Sequence, residues 1–99
     1  MNSFYIIFSK KLDRYYSGIT TEDVENRLKK HNISYHGNHY TSTANDWEIK
    51  LKIECETFSH ARRIELYVKK MKSRKFIEKL IMNPDEIIKL QEIINKESS

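Results

Sequence analysis

The first 31 residues carry side chains that can handle a phosphate group or a proton. Tyr5 and Tyr16 lie 11 positions apart, and Arg27 precedes His31 by 4 positions. A tyrosine hydroxyl can donate or accept a hydrogen bond, an imidazole exchanges a proton near neutral pH, and a guanidinium can hold a phosphate with two parallel hydrogen bonds. These residue types point to phosphate chemistry or proton transfer at a shared site.

Glu65 adds an acidic group farther along the chain. It lies at the edge of a predicted apolar helical stripe, which consists of Ala61, Ile64, Val68 and Met71. A hard cation such as Mg²⁺ prefers one or two carboxylates together with water and phosphate oxygens. The alternative is an exposed ion pair between Glu65 and Lys69, one helical turn apart.

Two short strands are predicted to position the tyrosines. Residues 4–8 are apolar on both sides of the strand alternation, residues 10–13 form a polar turn, and residues 14–19 can return as an antiparallel partner. Gly18 near the end of the second strand indicates a bend or a close backbone approach. From the strands alone, cross-strand packing of Tyr5 and Tyr16, with each hydroxyl in a hydrogen bond, is the favoured explanation.

A helix is predicted to follow these strands and to carry the basic pair. Thr20 and Asp23 have the form of a capping box, which starts a helix that runs to about His31. At about 100° per residue, Arg27 and His31 lie beside the inward stripe of this helix. The alternative role for Arg27 is packing of its stem on apolar surface.

Residues 32–46 show no regular period and read as a long polar connection. The histidines within it, His36 and His39, fit no structural zinc pattern. Residues 47–56 then alternate strictly, which predicts a strand with one buried face. That face is formed by Trp47, Ile49, Leu51, Ile53 and Cys55.

Three helices are predicted to complete the chain: one over residues 59–71, one that includes residues 76–81 and ends at Asn83-Pro84, and one over residues 84–96. Basic residues are concentrated around the junction between the first and second of these helices. Such a concentration can neutralise neighbouring phosphates, although a solvated helix face is the common alternative. The candidates for nucleic-acid binding are Lys69, Lys70, Lys72, Arg74 and Lys75.

The length and composition fit one small domain spanning residues 1–99, and the order of the predicted elements is compatible with an α+β arrangement. The formal net charge is +4, which permits an anionic partner. Cys55 is the single cysteine and no transmembrane run is present, so we expect a soluble protein in the reducing cytoplasm, without a membrane partner.

The order and spacing of these residues resemble the GIY-YIG endonuclease domain. Tyr5, the triplet at residues 16–18, and Arg27 with His31 in the form RLKKHN carry the resemblance. The segment ANDWE, a helix holding Glu65, and KKMKSR are similar to the small stand-alone branch of the family, and the likeness covers residues 3–82. Ser3-Phe4 and Ser17 depart from the literal motif.

This resemblance implies a small three-stranded antiparallel sheet flanked by helices, here with extra C-terminal helices. It implies metal-dependent hydrolysis of phosphodiester bonds in DNA with one Mg²⁺ or Mn²⁺ per site, held by Glu65. Tyr5 or Tyr16 would orient or deprotonate the attacking water, Arg27 would grip the phosphate, and His31 would position or share a proton. An asparagine late in the domain is also common, for which Asn83 is the candidate.

A second class of function stays open: a nucleic-acid-binding module that has the fold and little or no cleavage. The expected setting for a nuclease is DNA repair, recombination or the processing of structured DNA. A homodimer would let so small a domain cut both strands.

Overall fold

The computed structural model describes residues 2–32 and 44–98, the last two through their backbone alone. The described elements are β1 (Asn2–Ser9), β2 (Arg14–Thr20), α1 (Val24–Asn32), β3 (Glu48–Cys55), α2 (Phe58–Met71), α3 (Arg74–Met82) and α4 (Pro84–Ser98). The strands form one antiparallel sheet in the order β2-β1-β3. The α+β architecture with its three-stranded antiparallel sheet is confirmed. Most of the predicted polar connection, with His36 and His39, lies outside the described residues.

The central strand β1 is covered on both faces, as its continuous apolar sequence predicts. Phe4 and Ile6 belong to the larger apolar cluster, and Tyr5 and Ile7 belong to a smaller cluster on the opposite face. All four side chains are at most 1 % exposed. The sheet therefore separates two packed layers, and Tyr5 faces the smaller one.

The larger cluster packs α2, α3 and α4 against the sheet. Its buried helical members are Ala61, Ile64, Val68, Leu80, Leu90 and Ile94. The predicted inward stripe of α2 is thereby confirmed except at Met71, which is 44 % exposed. Met71 is the last residue of α2, and Lys72 turns the backbone into the left-handed conformation directly after it.

A bulge in β3 divides its apolar residues between the two layers. Ile6 pairs with Leu51 but Ile7 pairs with Ile49, which leaves Lys50 without a partner position on β1. The prediction of one shared apolar face was therefore wrong. Leu51, Ile53 and Cys55 join the larger cluster, whereas Trp47 and Ile49 join the layer of Tyr5. An extra residue reverses the alternation and leaves no mark in a strictly alternating sequence.

Capping residues set the starts of the helices. α1 begins at Val24 and not at Thr20, because the Thr20 hydroxyl accepts a hydrogen bond from the Glu22 amide and forms a local turn. Thr57 and Ser73 cap α2 and α3, and Pro84 starts α4 as predicted. Within residues 2–32 and 44–98, no helix has the length and apolar character needed to cross a membrane.

Candidate active site

Tyr5 is the buried centre of the candidate site. Its hydroxyl lies 2.9 Å from Nε2 of His31, and its side chain is 1 % exposed. Gly18 lies opposite Tyr5 on β2, and a Cβ atom at residue 18 would stand only 2.7 Å from the Tyr5 hydroxyl oxygen. The close approach expected at Gly18 is therefore real, and it leaves room for the Tyr5 hydroxyl.

His31 is held between the two tyrosines. Its ring centroid lies 5.9 Å from that of Tyr5 and 5.3 Å from that of Tyr16. The next residue, Asn32, fastens the end of α1 to the start of β3: its side-chain amide donates to the Trp47 carbonyl at 3.1 Å, and its side-chain oxygen accepts from the Trp47 amide at 2.7 Å. These contacts fix the end of the helix that carries His31.

Burial raises the pKa of Tyr5 to about 12, and interaction with the Arg27 guanidinium opposes this rise. The charges of Tyr16 and Glu65 act in the same direction as burial. The Tyr5 hydroxyl therefore lies within electrostatic reach of Tyr16, Arg27 and Glu65, and it stays protonated at neutral pH. The structure thus brings together the catalytic candidates that the sequence places on four different elements.

Tyr16 differs from Tyr5 in its surroundings. It is only partly buried, and its hydroxyl forms no hydrogen bond with any residue in the described ranges. Its ring lies edge-on to Trp47, with the centroids 6.4 Å apart. Packing therefore orients the ring of Tyr16 without engaging its hydroxyl.

Glu65 projects from the edge of the buried face of α2. It is 5 % exposed, and its two carboxylate oxygens are paired with Arg62 and Lys69. The Lys69 ammonium donates to Oε2 at 3.1 Å. The alternative prediction was an exposed ion pair between Glu65 and Lys69. The pair itself is confirmed, but the predicted exposure is wrong, because the carboxylate is buried. Burying a carboxylate is costly without compensating partners, and these two cations provide them.

The Glu65 carboxylate, as the acidic ligand of the candidate site, suits a hard divalent cation that keeps most of its bound water. No group of three or more His, Cys, Asp or Glu side chains able to hold a metal ion occurs in the described part of the chain. A structural zinc site is therefore not formed by those residues. A lone carboxylate such as Glu65 fits Mg²⁺, which is often bound through one or two carboxylates plus water and phosphate oxygens.

The candidates for nucleic-acid binding fall into two groups. The side chain of Arg74 pairs with Asp13 at 2.8 Å and with Glu78 at 3.5 Å, and Lys69 is engaged by Glu65. The other three are exposed and form no ion pair with a residue that the structure describes: they are Lys70, Lys72 and Lys75.

The GIY-YIG catalytic domain matches residues 1–79 of the chain. The chain belongs to the GIY-YIG family. It is thus a member of a nuclease family, and the resemblance drawn from its residues is confirmed. Nucleases of the GIY-YIG family generally depend on a divalent metal. No curated protein and no solved structure matches the chain.

Two contacts of the GIY-YIG site escaped the sequence-based interpretation. Arg62 pairs with Glu65 and lies three positions before it, a spacing that could have indicated a helical ion pair. The contact between Trp47 and Tyr16 was not predicted, because the bulge in β3 changes the face on which Trp47 lies.

The Asn83 side chain accepts a hydrogen bond from the Asp85 amide at 3.1 Å, so it caps the start of α4.

Proposed function

We propose that this GIY-YIG domain is a divalent-metal-dependent endonuclease that hydrolyses phosphodiester bonds in DNA. The observation that carries the proposal is the convergence on one hydroxyl: Tyr5 contacts His31 and lies within electrostatic reach of Arg27 and Glu65. A buried carboxylate, a guanidinium and proton-carrying groups in one place match the needs of phosphodiester hydrolysis. A purely structural core would not require this set.

Each protein group has a role that follows from its surroundings. Arg27 is partly exposed at the edge of the site and would hold the scissile phosphate. Tyr16, with its hydroxyl free of described partners, would contact and orient the attacking water. Tyr5 keeps its proton because its pKa is about 12, so we assign it the positioning of His31 and of the proton network.

Glu65 would hold the single Mg²⁺ or Mn²⁺. When bound, the cation would supply Lewis-acid stabilisation of the charge on the phosphate and leaving-group oxygens. Arg62 and Lys69 pair with the Glu65 carboxylate and balance its charge. Each carboxylate oxygen has lone-pair capacity beyond one hydrogen bond, so Glu65 can serve as a ligand while it keeps at least one of these partners.

DNA would lie on the basic surface around the junction of α2 and α3. We propose that Lys69, Lys70, Lys72, Arg74 and Lys75 contribute to its binding. Neutralising phosphates releases counterions, so the affinity should fall steeply with salt. A role in DNA repair, recombination or the processing of structured DNA, a homodimer for cutting both strands, and the cytoplasmic location expected from the lone Cys55 stay predictions.

The decisive experiment compares the wild-type protein with Glu65→Gln on labelled linear, nicked, branched and single-stranded DNA in Mg²⁺, Mn²⁺ or EDTA. We expect metal-dependent cleavage that falls by at least about 10³-fold in the variant, while binding in EDTA persists because the basic surface is intact. Glu48→Gln, which removes the same charge from an exposed residue of β3, is the matched control. Substantial cleavage by Glu65→Gln would remove this carboxylate from the mechanism.

One observation favours a second candidate function, a nucleic-acid-binding module without cleavage. Both oxygens of Glu65 are engaged by cationic side chains, Arg62 and Lys69. If neither cation yields to a metal ion, the domain would bind DNA and leave it uncut. Salt-dependent binding with no cleavage of any DNA in the panel would select this candidate.

A further inference from the structure

A groove of about 430 Å³ runs between the start of β2 and the junction of α2 with α3. The polar residues of its walls include Arg14, Ser17, Lys69, Lys72, Ser73 and Arg74. Lys69, Lys72 and Arg74 are among the DNA-binding residues proposed above, whereas the β2 side of the groove, with Arg14 and Ser17, has no role so far. Its position and its charge indicate a binding site.

The groove adjoins Glu65 of the candidate active site. Lys69 lines it and also pairs with Glu65 at 3.1 Å. The groove lies on the face of the sheet that α2 and α3 cover, opposite the layer of Tyr5, so Lys69 is its link to the site. A polymer that places one unit at Glu65 can therefore extend into the groove.

The walls carry more positive than negative charge. Arg14, Lys69, Lys72 and Arg74 face one acidic residue, Asp13. The Arg74 guanidinium pairs with Asp13 at 2.8 Å and holds the pKa of its carboxyl below the usual range. The Asp13 carboxylate is thus already compensated, and Lys69 is paired with Glu65 beside the groove. Lys72 forms no ion pair with a described residue, so its charge attracts an anionic chain to the groove.

The backbone of Lys72 supplies an independent observation. Within the described ranges, the non-glycine residues with positive φ are Asp13, at 52°, and Lys72, at 47°, and both line this groove. Lys72 follows the last residue of α2, where helices commonly place glycine. A side chain in this conformation is strained, and such strain is often stored at functional sites. Its ammonium also forms no ion pair with a described residue.

We propose that the groove binds the phosphodiester backbone of the DNA strand next to the scissile phosphate, with Lys72 as the main phosphate contact. The placement of the scissile phosphate rests on the proposed function. Lys72 lies seven residues beyond Glu65, about 10 Å along the helix direction, so it contacts a phosphate beyond the one that is cut. Arg14 lies on the β2 side of the groove, and the Lys69 ammonium links it to the active site.

The test uses three variants and a labelled DNA in EDTA, with the binding constant measured over a range of salt concentrations. Lys72→Gln removes the charge, and Lys72→Gly removes the charge together with the backbone strain. Lys79→Gln removes the same charge from an exposed residue of α3 outside the groove and is the control. Both Lys72 variants should bind roughly five- to tenfold more weakly at 0.1 M salt and lower the salt slope by about 0.9, with little change in the control.

Melting temperatures separate binding from folding. Lys72→Gly should melt at the same temperature as the wild-type protein or a few degrees higher, because glycine adopts positive φ without strain. Weaker binding by a protein that is at least as stable would support a direct phosphate contact. Equal losses in Lys72→Gln and Lys79→Gln, or no loss in either Lys72 variant, would overturn the proposal.

The failure of this proposal is distinguishable from a failure of the proposed function. Cleavage that depends on metal and Glu65, with unchanged binding in the Lys72 variants, would overturn only the proposal that the groove binds DNA. Weaker binding in the Lys72 variants, with no cleavage by the wild-type protein, would support DNA binding in the groove and overturn the proposed endonuclease activity.

Discussion

The hydroxyl of Tyr5 lies 2.9 Å from Nε2 of His31, and both side chains are buried. Tyr5 comes from the central strand and His31 from the last turn of α1, so one hydrogen bond joins the sheet to the helix. Burial raises the pKa of Tyr5 to about 12, which means that the interior holds this phenol in its neutral form. The same contact therefore contributes to stability and organises the catalytic candidates.

Stability is expected to fall as the pH rises from about 10 to about 12. An unfolded tyrosine loses its proton near pH 10, whereas Tyr5 in the folded protein keeps it up to about pH 12. In this window the unfolded state binds fewer protons, so the free energy of unfolding decreases with pH, by about 2 to 3 kcal/mol in total. Below pH 10 the contribution of Tyr5 is fully present.

Urea unfolding at several pH values between 9 and 12 measures this effect, with Tyr5→Phe as the control. The variant should lose less stability across the window, since its residue 5 has no proton to release. Identical pH dependence in the two proteins would show that Tyr5 titrates as an ordinary exposed tyrosine.

Removing either tyrosine hydroxyl should lower activity, but the two variants should differ in stability. Tyr16→Phe should reduce the cleavage rate by about 10²- to 10⁴-fold with little change in melting temperature, because its hydroxyl has no hydrogen-bond partner in the described ranges. Tyr5→Phe should also cost about 1 to 3 kcal/mol of stability, because it removes the buried hydrogen bond between Tyr5 and His31. Single-turnover cleavage and thermal melting of both variants check this, and full activity in Tyr16→Phe would contradict it.

The convergence of the catalytic candidates was predictable because it follows from regular periods. Strand alternation placed Tyr5 opposite Phe4, and helical spacing placed Arg27 and Glu65 at the edges of apolar stripes. The contact between Trp47 and Tyr16 was not predictable, because it depends on one unpaired residue in β3. A bulge is set by the packing of the two layers around the sheet, and such packing does not appear in any local pattern.

The start of α1 could not be predicted from the sequence either, because it depends on a single hydrogen bond. Thr20 and Asp23 have the right spacing for a capping box, but the Thr20 hydroxyl accepts from Glu22 two residues later. Threonine can form either bond, and the sequence does not decide between them.

Gly18→Ala should displace Tyr5. The added Cβ would stand 2.7 Å from the Tyr5 hydroxyl oxygen and 2.9 Å from its ring carbon Cζ, closer than packed atoms allow. We expect a loss of about 1 to 3 kcal/mol in the free energy of unfolding, with reduced cleavage. Ser17→Ala, which introduces alanine at the neighbouring position, should cause a far smaller loss in the free energy of unfolding.

The double variant Gly18→Ala, Tyr5→Phe identifies the clash. Removing the hydroxyl opens space for the new Cβ, so the two losses should combine to less than their sum. Strict additivity, measured by urea unfolding of all four proteins in the cycle, would show that the alanine acts elsewhere.

Arg74 links the start of α3 to the turn between β1 and β2. Its guanidinium donates to the Asp13 carbonyl at 3.0 Å and to Oδ1 of the same residue at 2.8 Å. It also lies over the ring of Tyr15, with its central carbon 5.3 Å from the ring centroid. A lysine keeps the charge but has neither the planar fork nor the stacking surface. Arg74→Lys should therefore lower the melting temperature.

The same substitution tests the role of Arg74 in DNA binding. Because lysine preserves the charge, the salt slope of binding should be unchanged if Arg74 acts as a general cation, even though the protein is less stable. A lower salt slope in Arg74→Lys would instead indicate that the guanidinium contacts a phosphate in a way that lysine cannot reproduce. Melting and salt titration of the same protein preparation give both readouts.

Acid should weaken the ion pair between Arg74 and Asp13. The Arg74 guanidinium holds the pKa of Asp13 below its ordinary value. A carboxylate of this kind contributes stability above its unfolded pKa, near 4, and the contribution is lost as the pH falls through its lower folded value. Melting temperatures at pH 7 and pH 3 should therefore differ less in Asp13→Asn than in the wild-type protein. Glu54→Gln, which alters an exposed carboxylate of β3, should leave the wild-type difference almost unchanged, and an equal effect of the two variants would assign the acid sensitivity to net charge alone.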